Sequence, residues 1–541
     1  MDKESLNFIE RDVLESIKKE QPIITRFPPE PNGYLHIGHA KSLSISYNLA
    51  KKYGGHMNFR LDDTNPAKED AKYVDAMVED IKWLGVTWAQ MLFASDYYEQ
   101  LYDFACNLIT KGLAYVDFQT ADEISKSRGT LTQPGVESPY RNTTPDENIK
   151  LFADMRAGKY ADGECVLRAK IDMASGNMVM RDPVMYRIVR EKHYRTGNEW
   201  CIYPLYDFAH CLSDAIEGIS HSCCSLEFEN NRILYDWFVE HAYEPKLKTP
   251  PRQFEFARLN IEQTVMSKRY LKNLVSEEIV DSWDDPRMPT ISGMRRRGYP
   301  PTAIMEFVAS TGVSRTPMTV PLSALEFYVR THLDPVATRV SAVFNPIKII
   351  VTNWDGEDDE LEISNNPHNE SYGKHKIYFG RELYIDGEDF ALNPPKGYKR
   401  LTVGGTVRLR GAYIIQCVQV VMKGDGSISH LECIFYKNSK SGEDVSGIKP
   451  GGTIHYLDAG TAIDVVVNEY MPLLKSGTNL DPENFANPTK IVHNAKVEAY
   501  ARELKVGQPL QFVRKGFFVL DKTSSPDKLI FNKTISLREG K

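Results

Sequence analysis

The stretch Ile23-Ile24-Thr25-Arg26-Phe27-Pro28-Pro29-Glu30-Pro31-Asn32-Gly33-Tyr34-Leu35-His36-Ile37-Gly38-His39 decides the fold of this chain. Ile23 to Phe27 is short, apolar and partly β-branched, which predicts a strand, and Pro28-Pro29 ends it. Gly33 permits the tight turn that follows. From His36 the apolar spacing, with Leu43 and Leu49 among its positions, predicts a helix that stops at Gly54-Gly55. A helix start offers unpaired N–H groups and partial positive charge, so it suits a polyphosphate. His36 and His39, three apart, fall on one face of that first turn, where their side-chain donors can follow charge building on a reacting phosphate. Spacing alone equally allows a surface histidine pair.

Around this segment the chain is an ordinary globular sequence. Its 541 residues suffice for several domains, because single cores seldom grow past about 250–300 residues. Hydrophobic residues make up 42% and charged residues 26%, as in soluble globular proteins. No apolar run approaches the roughly 18 residues of a membrane helix, and the charged N-terminus argues against a secretion or transit signal. Eight cysteines without a C-x-x-C favour reduced thiols over a disulfide framework or a zinc site, and no protein-bound metal site is predicted. The net charge of −7 argues against indiscriminate nucleic-acid binding but leaves room for a local basic surface. Arg295-Arg296-Arg297 and the stretch Lys396 to Arg410 are the candidates for one, although each could equally be a solvated face.

Residues to about 98 alternate strand and helix, as in a parallel α/β sheet, and a further βα passage follows Trp200. After Lys268 the chain reads as helical to about 332. Beyond that, short alternating segments rich in Val, Ile, Thr and Tyr predict an all-β region. In "YKRLTVGGTVRLRGAYII" (398–415), Leu401, Val403, Val407 and Leu409 predict one apolar face, with Arg400, Arg408 and Arg410 on the other. Keeping that face continuous requires a bulged hairpin with a three-residue loop around Gly404-Gly405. The 437–452 stretch reads as a loop or mobile tip.

"PNGYLHIGHA" (31–40) resembles the HIGH signature of class I aminoacyl-tRNA synthetases, and "TVMSKR" (264–269) resembles their KMSKS loop. "RLDDTNP" (60–66), "RGTLTQPG" (128–135), "LRAKIDM" (167–173), "MRDPVMYR" (180–187) and "WDDPRMPTISGMRRRG" (283–298) narrow the resemblance to the glutaminyl/glutamyl branch, over nearly the whole chain and at bacterial size. The valine before Met266 and Arg269 after Lys268 depart from the generic signature, a looseness this branch shows. The resemblance implies an α/β Rossmann-type catalytic core in two halves, 1–98 and 207–258, around an inserted α+β acceptor-binding domain at 99–206. It also implies a helical connector at 259–332 that carries the MSK loop, and two C-terminal anticodon-binding β-barrels within 333–541. The implied activity joins an amino acid to tRNA through an adenylate, releasing pyrophosphate and then AMP. ATP is used with Mg2+ that accompanies the nucleotide, by a cytoplasmic monomer with no membrane partner.

Residue by residue, the resemblance makes His36, His39 and Lys268 catalytic, with Lys268 on a mobile loop. ATP would meet Glu30, Pro31 and Asn32 in the turn, then His36, Ile37, Gly38, His39, Ala40, Lys41 and Ser42 along the helix start. Further on it would meet Ser225, Arg258 and Leu259, and Met266, Ser267 and Lys268. Arg26, Asp62, Tyr206, Cys224 and Gln253 would surround the amino acid. Asp62 would take its ammonium and Tyr206 the side-chain amide, while Arg26 would orient the pocket or meet the carboxylate. A capping role for Asp62, with Asp63 as its substitute, stays open, as does plain packing for Tyr206. Glutamyl relatives carry an arginine where this chain has Cys224, and a buried γ-carboxylate needs such a cation. The expected substrates are therefore L-glutamine and glutamine tRNA, the alternatives being glutamate or a catalytically silent tRNA-binding paralogue. Arg315, Arg339, Lys399, Arg400, Arg408, Arg410, Gln511 and Arg514 would contact tRNA, and Asn230 replaces an aspartate expected at the acceptor stem.

Overall fold

In the computed structural model, Ile24–Phe27 pairs in parallel with His56–Leu61, which pairs in parallel with Met91–Phe93. Phe27, Phe59 and Leu61 are fully buried, the continuous apolar character of strands covered on both faces. A second parallel pair, His221–Ser225 with Arg252–Phe256, flanks this sheet. The Ser220 amide donates to the Ile24 carbonyl at 2.9 Å, and the Ser220 hydroxyl accepts from the Ile24 amide at 2.8 Å. The helix Ile37–Lys52 packs Leu43 and Leu49 inward and stops where Gly54 takes φ of +71°. Gly55 is obligatory for a different reason: a Cβ there would stand 1.8 Å from the Ile23 carbonyl oxygen.

The structure describes residues 6–475 and 490–538. They form two units, Met1–Asn260 with Val308–Val320, and Ile261–Phe307 with Pro321–Lys541. In the first, the insertion after the third strand begins with the helix Tyr98–Thr110. Its antiparallel sheet runs Ala114–Asp117, Val166–Ala169, Val184–Ile188, Ile202–Pro204, covered by Pro145–Arg156. The stretch 259–332 is not one connector. Val308–Val320 belongs to the first unit, where the Ser314 carbonyl accepts from the Ala257 amide at 2.7 Å.

Two seven-stranded sheets dominate the second unit. The first runs from Thr453–Ile454 to Leu457–Asp458, two strands separated by a two-residue break. The second runs from Thr338–Val340 to Ala342–Val343, again neighbours in sequence. A sheet whose two edges are consecutive pieces of one segment has closed on itself, so both are barrels.

The hairpin expected across Gly404-Gly405 does not form. Thr406–Leu409 pairs instead with Ile414–Met422 across Gly411, while Leu401 bridges Phe390 and Val403 bridges Cys417. Val407 and Leu409 are buried as the alternation required, but Val403 is 49% exposed. The Thr402–Gly405 turn redirects the chain to another neighbour, a choice that local alternation cannot encode. The 437–452 loop is pinned by its own bonds, Ser446 to Asp444 and Val445 to Asn438.

Candidate active site

The helix start is capped by the two histidines themselves. His36 is the N-cap residue, not part of the first turn, and its Nδ1 accepts from the Gly38 amide at 3.1 Å. His39 Nδ1 accepts from the His36 amide at 3.1 Å, and the ring centroids are 3.9 Å apart. A ring nitrogen that accepts from a backbone N–H carries no proton, so each neutral imidazole holds its proton on Nε2, the side away from the cap. Upstream, the Asn32 amide bonds the Glu30 carbonyl and the Asn32 side chain donates to Glu30 Oε2 at 2.5 Å. Pro31, Ile37 and Ala40 are buried, whereas Gly38 and Ser42 are partly open. Lys41 is 6% exposed, and burial lowers its pKa.

Beside this turn lies a buried charge network. Arg26 is fully buried, donating Nε to Asp214 Oδ1 (3.0 Å) and Nη1 to the Cys223 carbonyl (2.7 Å). Arg60, also fully buried, donates Nε to Asp62 Oδ1 and Nη1 to Asp214 Oδ1, both at 2.7 Å, with Glu217 Oε2 at 3.3 Å. His210 stands between the two guanidiniums, 3.1 Å from Arg26 Nη2 and 3.3 Å from Arg60 Nη2. Burial alone would raise Asp62 and Asp214, yet the arginines and His210 outweigh it and hold both carboxyls below their usual range. Sequence inspection singled out Arg26 and Asp62 but missed Arg60, His210, Asp214 and Glu217. Their signal was present: His210 and Asp214 sit four apart on the helix Tyr206–Ile216, and Arg60 is two residues from Asp62 on a strand end.

Asp62 is 3% exposed, and its Oδ2 has no hydrogen-bond partner; the His210 ring nitrogen Nδ1 stands 3.6 Å away. A buried carboxylate oxygen left unpaired is an acceptor waiting for a donor. Asp63 differs, since its carboxylate accepts from the Ser95 amide and hydroxyl and from the Tyr194 hydroxyl. The Tyr206 ring stacks on His210 at 4.8 Å and meets Phe228 at 5.2 Å. Burial first, then Asp62, pushes its phenol far above the ordinary value, so it remains a donor. Cys224 is the last residue but one of the strand His221–Ser225, and burial raises its thiol too, leaving no charge at that position. Gln253 is buried and donates to the Phe228 carbonyl and to Glu255 Oε1, each at 3.1 Å. Cys223 fills the core beside Ile23, Leu49 and Phe256.

The remaining expected contacts are dispersed. Ser225 lies 3.5 Å from Glu227, which also takes Arg258; Leu259 is buried. Arg315 is paired with Glu229, and the carbonyl of the exposed Asn230 accepts from Asn177. In the second unit, Met266 and Ser267 precede Lys268, which is exposed and opens the helix Lys268–Ser276 instead of lying inside a loop. Val265, Leu271, Leu274 and Met288 anchor that helix. The arginine run at 295–297 is not a bare basic surface: Arg296 pairs with Asp521 and Asp284, and Arg297 donates to the Thr534 carbonyl.

On the barrels, Lys399 is exposed, while Arg400 and Arg514 both bind Asp389. Arg408 holds Asp444 and the Ser439 carbonyl. Arg339 is buried against Asp334 and the Ala337 carbonyl, in register with Gln511. Arg410 is mostly buried, and its Nη1 has no partner. Arg514 Nε meets Nδ1 of His455, whose Nε2 lies 2.8 Å from the Ala342 carbonyl.

Burial, then Arg514, lowers the pKa of His455 from 6.5 to about 4. The unfolded chain therefore takes up this proton first as pH falls. The contribution is complete above pH 6.5 and is lost between 6.5 and 4, reaching about 2 kcal/mol at pH 5. The melting temperature is expected to fall between pH 7 and 5, and to fall less in His455→Gln, which keeps an acceptor and a donor. An equal fall in both proteins would remove His455 as the cause.

A parallel α/β core with a histidine-capped helix start beside a buried network of arginines and carboxylates, followed by two closed barrels, defines an aminoacyl-tRNA synthetase of class I. The family model for the catalytic domain of class I tRNA synthetases (E and Q) matches residues 22–335. Those for the anticodon-binding domain of the same group match 337–436 and 453–521. The chain belongs to this E and Q family of class I tRNA synthetases. It is 48% identical to a glutamine–tRNA ligase of Clostridium kluyveri, covering 99% of this chain and 98% of that protein. Identity to the glutamine–tRNA ligase of Clostridium perfringens is 49%, again over 99% and 98%. A crystal structure of glutamate–tRNA synthetase from Elizabethkingia anophelis aligns with 58% of this chain and 71% of that one, at 19% identity and TM-score 0.43.

Proposed function

We propose that this protein attaches L-glutamine to glutamine tRNA at the expense of ATP. The glutamine carboxylate attacks the α-phosphate and expels pyrophosphate; a terminal ribose hydroxyl of the tRNA then attacks the acyl carbon and expels AMP. What carries the choice of amino acid is the uncharged Cys224 in a pocket where a γ-carboxylate would need a cation. Near-full-length identity to glutamine–tRNA ligases supports the same choice. The test is charging of purified glutamine and glutamate tRNAs with each labelled amino acid. Glutamate on either tRNA at a comparable rate would sink the assignment.

In this reading Asp62 Oδ2 receives the substrate ammonium, which supplies its missing partner. Tyr206 gives its hydroxyl to the side-chain amide, Cys224 and Gln253 complete a neutral wall, and Arg26 is the fixed floor under that wall, held by Asp214. His36 and His39 present Nε2 donors to the phosphates, with the helix start and the buried Lys41 adding positive field. Magnesium enters with the nucleotide. Lys268 neutralises the departing pyrophosphate. Arg400, Arg408, Arg410, Arg514, Gln511, Arg339 and Lys399 serve the anticodon, and Arg315 the tRNA backbone. The protein acts as a cytoplasmic monomer; no helix among the described residues is long and apolar enough to cross a membrane.

Lys268→Ala is expected to slow adenylate formation about 10²–10³-fold, the usual loss of one preorganised charge partner, with tRNA affinity within about threefold of the parent. Pyrophosphate exchange and filter binding measure the two. An unchanged exchange rate takes Lys268 out of the mechanism.

A further inference from the structure

Arg400 and Arg514 come from different barrels, yet one carboxylate holds both. Asp389 ends the short turn Gly387–Asp389, and its side chain is fully buried. Its Oδ1 accepts from Arg400 Nη1 and its Oδ2 from Arg514 Nη2. The same residue fixes the backbone that carries Arg400, because the Leu401 amide donates to the Asp389 carbonyl at 3.0 Å. Each arginine stays about one-third exposed, with the corner of its fork that Asp389 does not hold still able to donate.

Arg514 has a further peculiarity. It sits in the hairpin between Pro509–Phe512 and Gly516–Leu520 with φ of +67°, a left-handed conformation that favours glycine or asparagine. An arginine kept where glycine would be easier marks a side chain whose direction matters. That direction is set at two points, Nε by His455 and Nη2 by Asp389. Next to it, Lys515 pairs with Asp386 at 3.0 Å and Glu388 at 3.2 Å, so the barrel junction has an ionic clasp that does not involve the two arginines.

We propose that Asp389 is the positioning residue for anticodon discrimination, holding the Arg400 and Arg514 forks in a fixed relative pose that matches the acceptor-bearing edges of splayed anticodon bases. Without its charge two like-charged guanidiniums face one another across the junction and splay. Arginine then still attracts phosphate but no longer presents donors in the direction of a base edge. The inference rests on the reading of these two arginines as anticodon contacts.

The test measures kcat/KM for aminoacylation with the full-length protein. The substrates are glutamine tRNA transcripts carrying the natural anticodon or single substitutions in it. Asp389→Asn is expected to narrow the cognate-to-substituted ratio at least tenfold, chiefly through KM for the cognate transcript. Lys515→Gln, which removes both ion pairs of the clasp and leaves the Gly387–Asp389 turn capped by Asp386, should leave the ratio within twofold. Equal narrowing in both variants would make Asp389 a mere strut, and an unchanged ratio in Asp389→Asn would overturn the proposal outright. Arg400→Ala and Arg514→Ala separate the underlying reading: if neither alters the ratio, the arginines do not read bases and the proposal falls with them. Should Asp389→Asn not fold, Asp389→Glu keeps the charge but moves it by one methylene. It should narrow the ratio about threefold, and an unchanged ratio there counts against the proposal.

Discussion

Asp62→Asn is expected to lower kcat/KM for glutamine by about 10³, while KM for ATP moves less than threefold. The magnitude follows from the pocket. Asp62 is buried and already ionised by Arg60, which holds Oδ1 at 2.7 Å and leaves Oδ2 without a hydrogen bond. An incoming ammonium meets a desolvated full charge there, and breaking one side of a buried pair costs about 3–5 kcal/mol. Asparagine keeps the shape and can still accept from Arg60 through its carbonyl oxygen, so the network under it persists through Asp214 and Glu217. Asp63→Asn is the contrasting variant. That carboxylate is satisfied by Ser95 and Tyr194, so its loss should appear in the melting temperature and not in KM for glutamine. A loss under tenfold in Asp62→Asn would show that the ammonium binds elsewhere.

The contrast between Asp62 and Asp63 shows where reading a sequence stops. The strand, turn and helix around His36 were legible to within a residue, because proline, glycine and apolar spacing act locally. The absence of a charge at Cys224 was legible too, and burial of the thiol agrees with it. The role of His36 as a cap was not, because it depends on backbone dihedrals one residue ahead of the helix. Nor were the partners of Arg26, which lie between 184 and 197 residues away on two other elements, one helix and one strand. The same holds on the barrels. Alternation correctly buried Val407 and Leu409, yet Leu401 found Phe390 and Arg400 found Asp389, pairings set by closure of the sheet. The basic run at 295–297 looked like a nucleic-acid surface only while Asp521 and Asp284 were invisible to it.

Cys224→Arg is expected to shift the preference for glutamine over glutamate by about 10⁴, glutamine falling by 10² or more and glutamate charging rising from background. The thiol is uncharged, and the cation that acts on it, Arg26, is bound by Asp214 and the Cys223 carbonyl. A glutamate side chain entering this wall would bury an unpaired carboxylate, a penalty of several kcal/mol that no hydrogen bond from Gln253 or Tyr206 removes. A guanidinium at position 224 supplies the partner and turns the same penalty against glutamine, whose amide would leave that cation unsatisfied. Glu255 lies close enough to influence the thiol, but Arg232 already holds it at 2.9 Å and Arg315 stands at 3.6 Å, so it cannot fully quench a new cation. Crowding is the competing explanation for any loss of glutamine activity, and Cys224→Met separates it by adding bulk without charge. Methionine should weaken glutamine charging and give no gain with glutamate. Glutamate charging that rises in both variants would mean that pocket volume, not charge, sets the choice. No rise in either would mean that another side chain already excludes the γ-carboxylate.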